Sequence, residues 1–404
     1  MLLAHKIALD PTPAQRQYFA RAAGTARFTW NWALDRWDRQ YKEWKERGKT
    51  GDKPNWMALS KDFTKEINTN PDLAWVKEVH ATAHTRVFRD LGKAFTNFFQ
   101  KRANYPTFKA KGVHDGFYVQ NQQLWFDGAR VHMPHIGLVK MREELRFQGK
   151  IMGASVSREA DRWFVAVQVE MDHYARERTA DGDVGVDLGI NRLATLSTGD
   201  KIENPKALDR NLERLQRLQR RLSRKVKGSN NRRKARMEVA RLHARISNIR
   251  KDAAHKLTTQ VCETNKTIVI EDLRVRNMIA NPKLARSISD ANFREVRRQL
   301  EYKAAIYGSQ VVVADTFFPS SRTCSKCGRV KHDLMLNDRV FRCECGFAED
   351  RDLNAALNLR RLGHSRTNAC GQESSGCSPG SRPAGGETGL VEAGISIARG
   401  KPEA

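Results

Sequence analysis

Val184-Gly185-Val186-Asp187-Leu188-Gly189 is a short apolar run that ends in an acid and a glycine. A run of this kind predicts a buried strand followed by a turn, with a second strand at 193–198. The pattern recurs at Thr267-Ile268-Val269-Ile270-Glu271, where an acid again ends an apolar run. Together with a strand near 309–314 and intervening helical stretches, this favours a mixed α/β domain from Val184 onward.

A third acid, Asp352, opens the helical stretch that runs to Leu359. Carboxylates at strand ends can converge on two divalent cations, which activate water and stabilise a leaving oxygen in phosphodiester cleavage. Three acids in this order are typical of a metal-dependent nuclease of the RNase H type. We therefore predict a catalytic centre that binds two Mg²⁺ ions through Asp187, Glu271 and Asp352.

Three neighbouring acids compete for these places: Asp183, Asp272 and Asp350. Asp187 is favoured over Asp183 because it lies within the apolar run and before the glycine turn. Glu271 is favoured over Asp272 because it shares strand parity with Val269. The pattern of residues nevertheless leaves all three neighbours open as alternatives.

Four cysteines occur in two closely spaced pairs, Cys324-x-x-Cys327 and Cys343-x-Cys345. This spacing suits a tetrahedral zinc ion, which would be structural because protein ligands fill all four positions. Gly328 and Gly346 follow the two pairs and permit tight turns in which backbone amides face the sulfurs. The second pair is one residue shorter than the usual C-x-x-C, and His332 is a spare ligand that is expected to be an exposed loop residue.

The composition indicates a polyanionic partner. The chain has 404 residues and a formal charge of +26, from 72 Lys and Arg against 46 Asp and Glu. Such an excess favours nucleic acid over a membrane surface, because no apolar stretch approaches the ~20 residues that span a bilayer. We expect no small-molecule substrate. The first residues lack a secretion signal, and the seven cysteines fit a reducing cytoplasm.

A long pair of basic helices is predicted at about 207–225 and 231–265, broken at Gly228-Ser229-Asn230-Asn231. Leucines mark the buried seam of the first helix. Acids are absent from 214 to 237, which favours a surface that follows phosphates over a merely solvated face. The basic residues of this surface are Arg214, Arg217, Arg220, Arg221, Arg224, Lys225, Lys227, Arg232, Arg233 and Lys234.

The sequence predicts that the N-terminal half is a β module interrupted by a helical insertion. Residues 1–10 alternate like a strand, and Thr12 and Pro13 can cap and begin a helix. The pattern is helical to about residue 104, and its aromatic stripes are expected to be core. Residues 105–175 return to short strands, with one hairpin at Asp127-Gly128 and another across 159–162.

The last segment, 363–404, is rich in Gly, Ser, Pro and Ala, and no Phe, Trp or Tyr follows Phe347. Such a composition buries too little apolar area to offset the entropy of ordering, so a disordered tail is predicted. Cys370 and Cys377 lie inside it, and we expect no role for them.

Several motifs resemble those of the TnpB family of transposon-encoded, RNA-guided nucleases, which are related to type V CRISPR effectors. The resemblance covers nearly the whole chain and is most specific in its second half. It is carried by the runs at 184–190, 268–273, 318–328 and 350–358, by Ser287-Ile288-Ser289-Asp290-Ala291 with the stretch 299–304, and by the stretch 24–31. The short Cys343-x-Cys345 pair departs from the family pattern.

The resemblance implies an α+β multidomain fold. It implies a wedge-like, OB-like β-barrel formed by 1–10 and 105–175, with a helical recognition insertion at 11–104. A RuvC-like nuclease domain at 180–320 and 347–362 would then be interrupted by a zinc ribbon at 321–346. The resemblance also implies that Asp352, not Asp350, is the third catalytic acid.

The function implied by the resemblance is RNA-guided cleavage of double-stranded target DNA beside a short motif, with a guide RNA from the transposon end. Thr85, Gln120 and Asn121 are candidates for contacting that motif. Two other functions stay open: a guided DNA-binding regulator without cleavage, and a strand-transferring transposase. A type V CRISPR effector is a close neighbour of the first function.

Overall fold

A computed structural model of the protein describes residues 1–172, 174–335 and 338–372. The predicted tail from 373 onward, with Cys377, lies outside the described residues. No helix among the described residues is both long and apolar enough to cross a membrane.

The chain begins with one strand and continues in three helices: β1 (Leu2–Asp10), α1 (Pro13–Glu46), α2 (Trp56–Thr69) and α3 (Thr82–Phe99). The start of α1 follows the sequence prediction. The Thr12 hydroxyl accepts a hydrogen bond from the Gln15 amide at 3.3 Å, and the Gln15 side chain accepts one from the Thr12 amide at 3.0 Å. The predicted aromatic core is also present, since Trp37 stacks on Phe95 with ring centroids 4.1 Å apart.

Six further strands join β1 in one sheet: β2 (Gly116–Gln120), β3 (Trp125–Asp127), β4 (Arg130–Met133), β5 (Gly137–Met141), β6 (Lys150–Glu159) and β7 (Arg162–Glu170). Their order is β2-β6-β7-β1-β5-β4-β3, and neighbouring strands are antiparallel. Both predicted hairpins, β3–β4 and β6–β7, are present. The N-terminal strand lies in the middle of the sheet, so the helices are an insertion between two parts of one β module.

The second half contains the following elements: β8 (Gly182–Asp187), β9 (Arg192–Leu196), β10 (Lys201–Glu203), α4 (Leu212–Ser223), α5 (Asn230–Thr264), β11 (Asn265–Ile270), α6 (Val275–Ile279), α7 (Ala285–Ala291), α8 (Phe293–Tyr307), β12 (Gln310–Val313), β13 (Val340–Arg342), β14 (Ala348–Asp350) and α9 (Arg351–Gln372). Five of the strands form a sheet of order β10-β9-β8-β11-β12. Strands β8, β11 and β12 are parallel, and β9 and β10 are antiparallel to their neighbours. The sequence did not predict β10.

Helix α9 corrects the predicted start of the tail. The helix continues to Gln372, so the first ten residues of the predicted 363–404 tail are helical. The division of the chain into wedge, recognition, nuclease and ribbon domains stays a prediction.

The five-stranded sheet is covered on both faces, as is usual for parallel strands. On one face, Val184, Val186, Ile268 and Ile270 join a core that includes residues of α5 and α8. On the other face, α9 packs over β8 and β11, and Leu359 joins Val269 and Val312 in a second core.

The approach of α9 to β8 requires glycine at position 185. A Cβ atom there would lie 2.0 Å from the Ala356 carbonyl oxygen and 2.6 Å from the Arg360 amide nitrogen. Both atoms belong to helix backbone, which cannot move away without displacing α9. A second close contact occurs at Gly363, whose Cβ would lie 2.5 Å from a methyl group of Val269.

We predict that Gly185→Ala destabilises the protein by about 3 kcal/mol, because the added methyl forces α9 off the sheet. The free energy of unfolding from urea titration measures this. Gly24→Ala is the matched control: its Cβ would meet only a terminal nitrogen of Arg27 at 3.8 Å, inside α1. Alanine favours a helix over glycine, so the control is expected to be neutral or stabilising. Equal loss in both variants would contradict the close-packing argument.

Candidate active site

Asp187 and Glu271 come from neighbouring parallel strands at the same edge of the sheet. Val186 of β8 lies opposite Ile270 of β11, and the two acids are the next residue of each strand. Neighbouring strands are about 4.8 Å apart, so the two side chains start close together. Side chains alternate between the two faces of a sheet, so the two acids lie on the same face as Gly185. Gly185 contacts α9, and the acids therefore project toward that helix.

Helix α9 brings Asp352 to the same edge. The helix runs opposite in direction to β8: His364 lies 3.2 Å from Asp183 at the start of the strand, and Ala356 contacts Gly185 in the middle. Asp352, one turn before Ala356, is thereby placed by the end of the strand. Its charge contributes to the electrostatic environment of Asp187, as does that of Glu271.

The three carboxylates form a cluster that is short of positive charge. Burial raises the pKa of Asp187 well above its usual range, and the charges of Glu271 and Asp352 raise it further. Burial also raises the pKa of Glu271. Arg351 supplies only part of the compensation, with its Nε 3.8 Å from an Asp352 oxygen. Carboxylate oxygens held together against their own repulsion suit a hard divalent cation.

Asp350 occupies a different environment from Asp352. The Lys201 ammonium lies 2.8 Å from an Asp350 oxygen, and the Arg192 guanidinium lies 3.3 Å from the same oxygen. The other oxygen accepts hydrogen bonds from the amides of Asp352 and Leu353 and so caps α9. Burial alone would raise the pKa of Asp350, but Lys201 and these amides lower it. Its charge is compensated within the protein.

The other two alternatives are also paired. Asp272 lies 2.6 Å from Arg297 and accepts a hydrogen bond from the Thr316 hydroxyl at 2.9 Å. The hydrogen bond from Arg297 lowers the pKa of Asp272 most, and the hydrogen bond from Thr316 lowers it further. Asp183 lies at the opposite end of β8 from Asp187, beside His364. The structure thus brings together the three preferred acids and gives each neighbour its own partner.

Ser320 is a member of this site that the sequence analysis missed. Its side chain is buried, and its hydroxyl donates a hydrogen bond to Glu271. This bond opposes the rise in the pKa of Glu271 that burial causes. The backbone oxygen of Ser320 accepts a hydrogen bond from Asn358 of α9 at 2.8 Å. The usable signal was the pair Asn354 and Asn358, which places two amides on the otherwise apolar, buried face of α9.

The four paired cysteines converge. The sulfurs of Cys324 and Cys345 are 3.7 Å apart, those of Cys327 and Cys343 are 3.6 Å apart, and all four lie within 4.8 Å of one another. A tetrahedral zinc ion with Zn–S bonds of about 2.3 Å separates its sulfurs by about 3.8 Å. The cysteines therefore form a candidate zinc-binding cluster. Among the described residues it is the one group of three or more possible metal ligands found this closely spaced.

The turns around the cysteines follow the prediction. Gly328 and Gly346 have φ angles of +78° and +82°, a region that favours glycine. In the shorter second pair, the Cys343 amide donates to the Phe347 oxygen at 2.8 Å. The Arg329 amide faces the sulfur of Cys327 and lowers the pKa of this thiol to about 7. His332 is exposed and lies outside the cluster.

The cysteine segment is fastened to the helix that carries Asp352. The Asn354 side chain donates to the Thr323 oxygen at 2.8 Å and accepts from the Ser325 amide at 3.0 Å. Asn358 donates to the Thr323 oxygen as well, at 2.6 Å. These contacts join the loop before the first cysteine pair directly to α9.

The basic helices largely expose their cations, but two of the predicted contact residues already have partners within the protein. Arg217, Arg220, Arg224 and Arg233 are exposed, and in the described part of the chain no carboxylate lies within 4.0 Å of them. Arg221, in contrast, is 3.1 Å from Glu238. Arg232 is half-buried and donates to the oxygens of Leu222 and Lys225. It therefore closes the C-terminal end of α4, since unpaired helix carbonyls need donors.

The three residues expected near a duplex motif lie on neighbouring elements. Thr85 and Gln120 are exposed, and Asn121 is half-buried. Arg86 of α3 covers the ring of Tyr118 in β2, with the guanidinium 4.5 Å from the ring centre. Thr85 and the end of β2 therefore flank one contact between helix and sheet, and their role in binding stays a prediction.

Three family models match segments of the chain. Residues 166–281 match OrfB_IS605, described as "Probable transposase", and residues 293–359 match "Cas12f1-like, TNB domain". Residues 1–47 match "Helix-turn-helix domain". In this protein those 47 residues form β1 and the single uninterrupted helix α1.

Several relatives match almost end to end. A Streptomyces pristinaespiralis protein named "Putative RNA-guided DNA endonuclease" is 40% identical over 94% of this chain and 92% of its own length. The Escherichia coli K12 protein "Putative RNA-guided DNA endonuclease InsQ" is 34% identical over 92% of this chain and 94% of its own length. A Mycobacterium tuberculosis protein, also described as a putative RNA-guided DNA endonuclease, is 30% identical over 89% of this chain and 86% of its own length.

One solved structure supports the fold. The chain is similar to the protein in a Cas12f1–sgRNA–target DNA complex, with a TM-score of 0.55 and 13% identity over 86% of this chain and 83% of that one. This likeness shows a mixed α/β fold similar to that effector. This chain is 40% identical to one relative over nearly the full length of both, and its residues 166–281 and 293–359 match the OrfB_IS605 and TNB models. The chain therefore belongs to the TnpB (OrfB of IS605) family.

Proposed function

We propose that this protein is a transposon-encoded, RNA-guided DNA endonuclease. The observation that carries the proposal is the convergence of Asp187, Glu271 and Asp352 from two strands and a helix on one sheet edge, where burial and mutual repulsion raise the pKa of Asp187. The relatives named above support the guided activity. A regulator that binds without cutting would have no use for three coupled carboxylates.

The catalytic chemistry needs metal, and the donor set fits it. Two Mg²⁺ ions, when bound, activate water and stabilise the leaving oxygen of the phosphodiester. Asp187, Glu271 and Asp352 would hold them, and Ser320 fixes the carboxylate of Glu271 by hydrogen bonding. Asp350 pairs with Lys201 and accepts a hydrogen bond from the Asp352 amide at the start of α9. These contacts fix the backbone position of Asp352.

We further propose the domain organisation that the family resemblance implies. The seven-stranded sheet would be the wedge barrel, α1 to α3 the recognition insertion, and the five-stranded sheet with α9 the RuvC-like nuclease domain. The cluster of four cysteines would bind one structural zinc ion in the inserted ribbon. Sulfur separations of 3.6–3.7 Å support this assignment.

Nucleic acid would be held mainly through its backbone. In guided effectors, base pairing with the guide reads the target, and the protein contacts the hybrid by shape and charge. The exposed arginines of α4 and α5 supply such charge, and Thr85, Gln120 and Asn121 are the proposed contacts for the short duplex motif. The partners are therefore a guide RNA from the transposon end and double-stranded target DNA.

We predict that Asp187→Ala, Glu271→Ala or Asp352→Ala each lowers guided cleavage by orders of magnitude, because each removes charge that the metals need. The double variants should lose little more, since the residues act as a unit. Single-turnover cleavage of guided duplex DNA in Mg²⁺ measures this. Filter binding of guide and target should be unchanged.

Asp350→Asn is the matched control for Asp352→Ala. Asparagine retains the cap on α9 and removes the charge that faces Lys201 and Arg192, so the effect on cleavage should be much smaller. Near-normal cutting by Asp187→Ala, or equal losses in Asp350→Asn and Asp352→Ala, would contradict the assignment.

We predict about one zinc ion per chain, lost when Cys324 and Cys327 are both replaced by Ser. Elemental analysis of purified protein measures the metal. Cys262→Ala is the control, because this thiol is buried between α5 and α8, away from the cluster. Folded wild-type protein without zinc would refute the prediction.

We predict that Arg217→Gln, Arg220→Gln and Arg224→Gln together weaken binding of all nucleic-acid sequences alike. The slope of log affinity against log salt should flatten by about 3, one for each lost phosphate contact. The control pair is Arg39→Gln and Lys42→Gln in α1, whose cations lie 2.8 Å from Asp35 and 3.9 Å from Glu46. An unchanged slope in the triple variant would mean that the arginines are merely solvated.

A further inference from the structure

Phe317 presents an aromatic ring to solvent beside the catalytic edge. Its side chain is 86% exposed, the largest fraction among the large apolar side chains of the described residues. The next residue, Phe318, packs instead against the core that contains Val269 and Leu359. Burial of a phenyl ring stabilises a folded protein, so Phe317 contributes little to folding where it lies.

Two contacts fix the position of the turn that carries this ring relative to Glu271. On one side, the Thr316 hydroxyl donates to Asp272, the residue after Glu271, at 2.9 Å. On the other side, Ser320 donates to Glu271 itself. The turn that carries Phe317 is thus tied at both ends to the strand end that bears a catalytic acid.

A cation accompanies the ring. The guanidinium carbon of Arg274 lies 5.7 Å from the ring centre of Phe317. Arg274 is exposed, and across the described ranges no carboxylate lies within 4.0 Å of its guanidinium. An aromatic face with an adjacent guanidinium is the combination that binds unpaired nucleic acid, by base stacking and by contact with phosphate or the π system.

We propose that Phe317 and Arg274 form a stacking site for one unpaired nucleobase of the DNA strand being cut, next to the scissile phosphate. The inference rests on the proposed nuclease function and names a contact that positions its substrate. Bases inside a duplex are stacked on both faces, so an isolated exposed ring selects a strand whose bases are free. The site therefore holds the strand while the carboxylate cluster acts on the adjacent phosphodiester.

The test uses the full-length protein loaded with guide RNA and target DNAs that carry one abasic residue at successive positions around the mapped cut. One abasic position should slow single-turnover cleavage by wild type about 5- to 100-fold. Phe317→Ala should cut intact DNA more slowly by a similar factor and be insensitive to that abasic position. Phe317→Tyr, which keeps a ring, should restore the sensitivity.

A second readout does not depend on cleavage. In an Asp187→Ala background, 2-aminopurine at the same position should be quenched on binding, and Phe317→Ala should abolish the quenching. The melting temperature should not change, because the ring is exposed. Phe108→Ala, which removes another exposed phenyl ring, should keep the wild-type abasic profile and quenching.

The outcomes separate the two levels of the proposal. If wild type cuts guided DNA and Phe317→Ala retains the wild-type abasic profile, the stacking site is refuted while the nuclease function stands. Loss of guide-RNA binding by Phe317→Ala would also overturn it, since the ring would then contact RNA. If wild type cuts no guided DNA, the nuclease proposal fails, and the quenching measurement still decides whether a base stacks on Phe317.

Discussion

The site depends on the contact between α9 and β8 at Gly185, where a single methyl group would meet helix backbone at 2.0 Å. Because the helix lies this deep on the sheet, its first turn reaches the level at which β8 and β11 end. Asp352 therefore joins Asp187 and Glu271 without a loop to carry it. A side chain at position 185 would raise the helix and separate the acids, so a residue with no functional atom determines the geometry of the site.

The same helix also couples the cysteine cluster to the carboxylates. Asn354 and Asn358 are buried, and a buried amide without partners is costly, so their bonds to Thr323 and Ser320 hold the loop in one place. From Ser320 the chain of contacts continues to Glu271. Zinc at the cysteines would stiffen the end of this loop, which explains how a metal that takes no part in the chemistry can stabilise the site that does.

Sequence reasoning succeeded where the signal is local and failed where it depends on packing. The acid at the end of an apolar strand, the cysteine spacing and the cap at Thr12 are each encoded within a few residues. The contact of Ser320 with Glu271 and the contacts of Arg232 with helix carbonyls were not foreseen, because they depend on partners that only the fold brings near. Among exposed arginines, the basic pattern could not distinguish Arg221, paired with Glu238, from Arg220, which no carboxylate of the described residues approaches within 4.0 Å.

The charge of the protein is divided in a way that suits its proposed substrate. A chain of formal charge +26 attracts a polyanion, yet the proposed catalytic edge concentrates acids that repel phosphate. Burial raises the pKa of Asp187, and the neighbouring charges of Glu271 and Asp352 raise it further. Divalent cations held by these carboxylates would reverse the sign of the edge and allow a phosphodiester to approach it. Binding by the basic surfaces and cleavage at the acidic edge thus become separable, because only the second depends on metal.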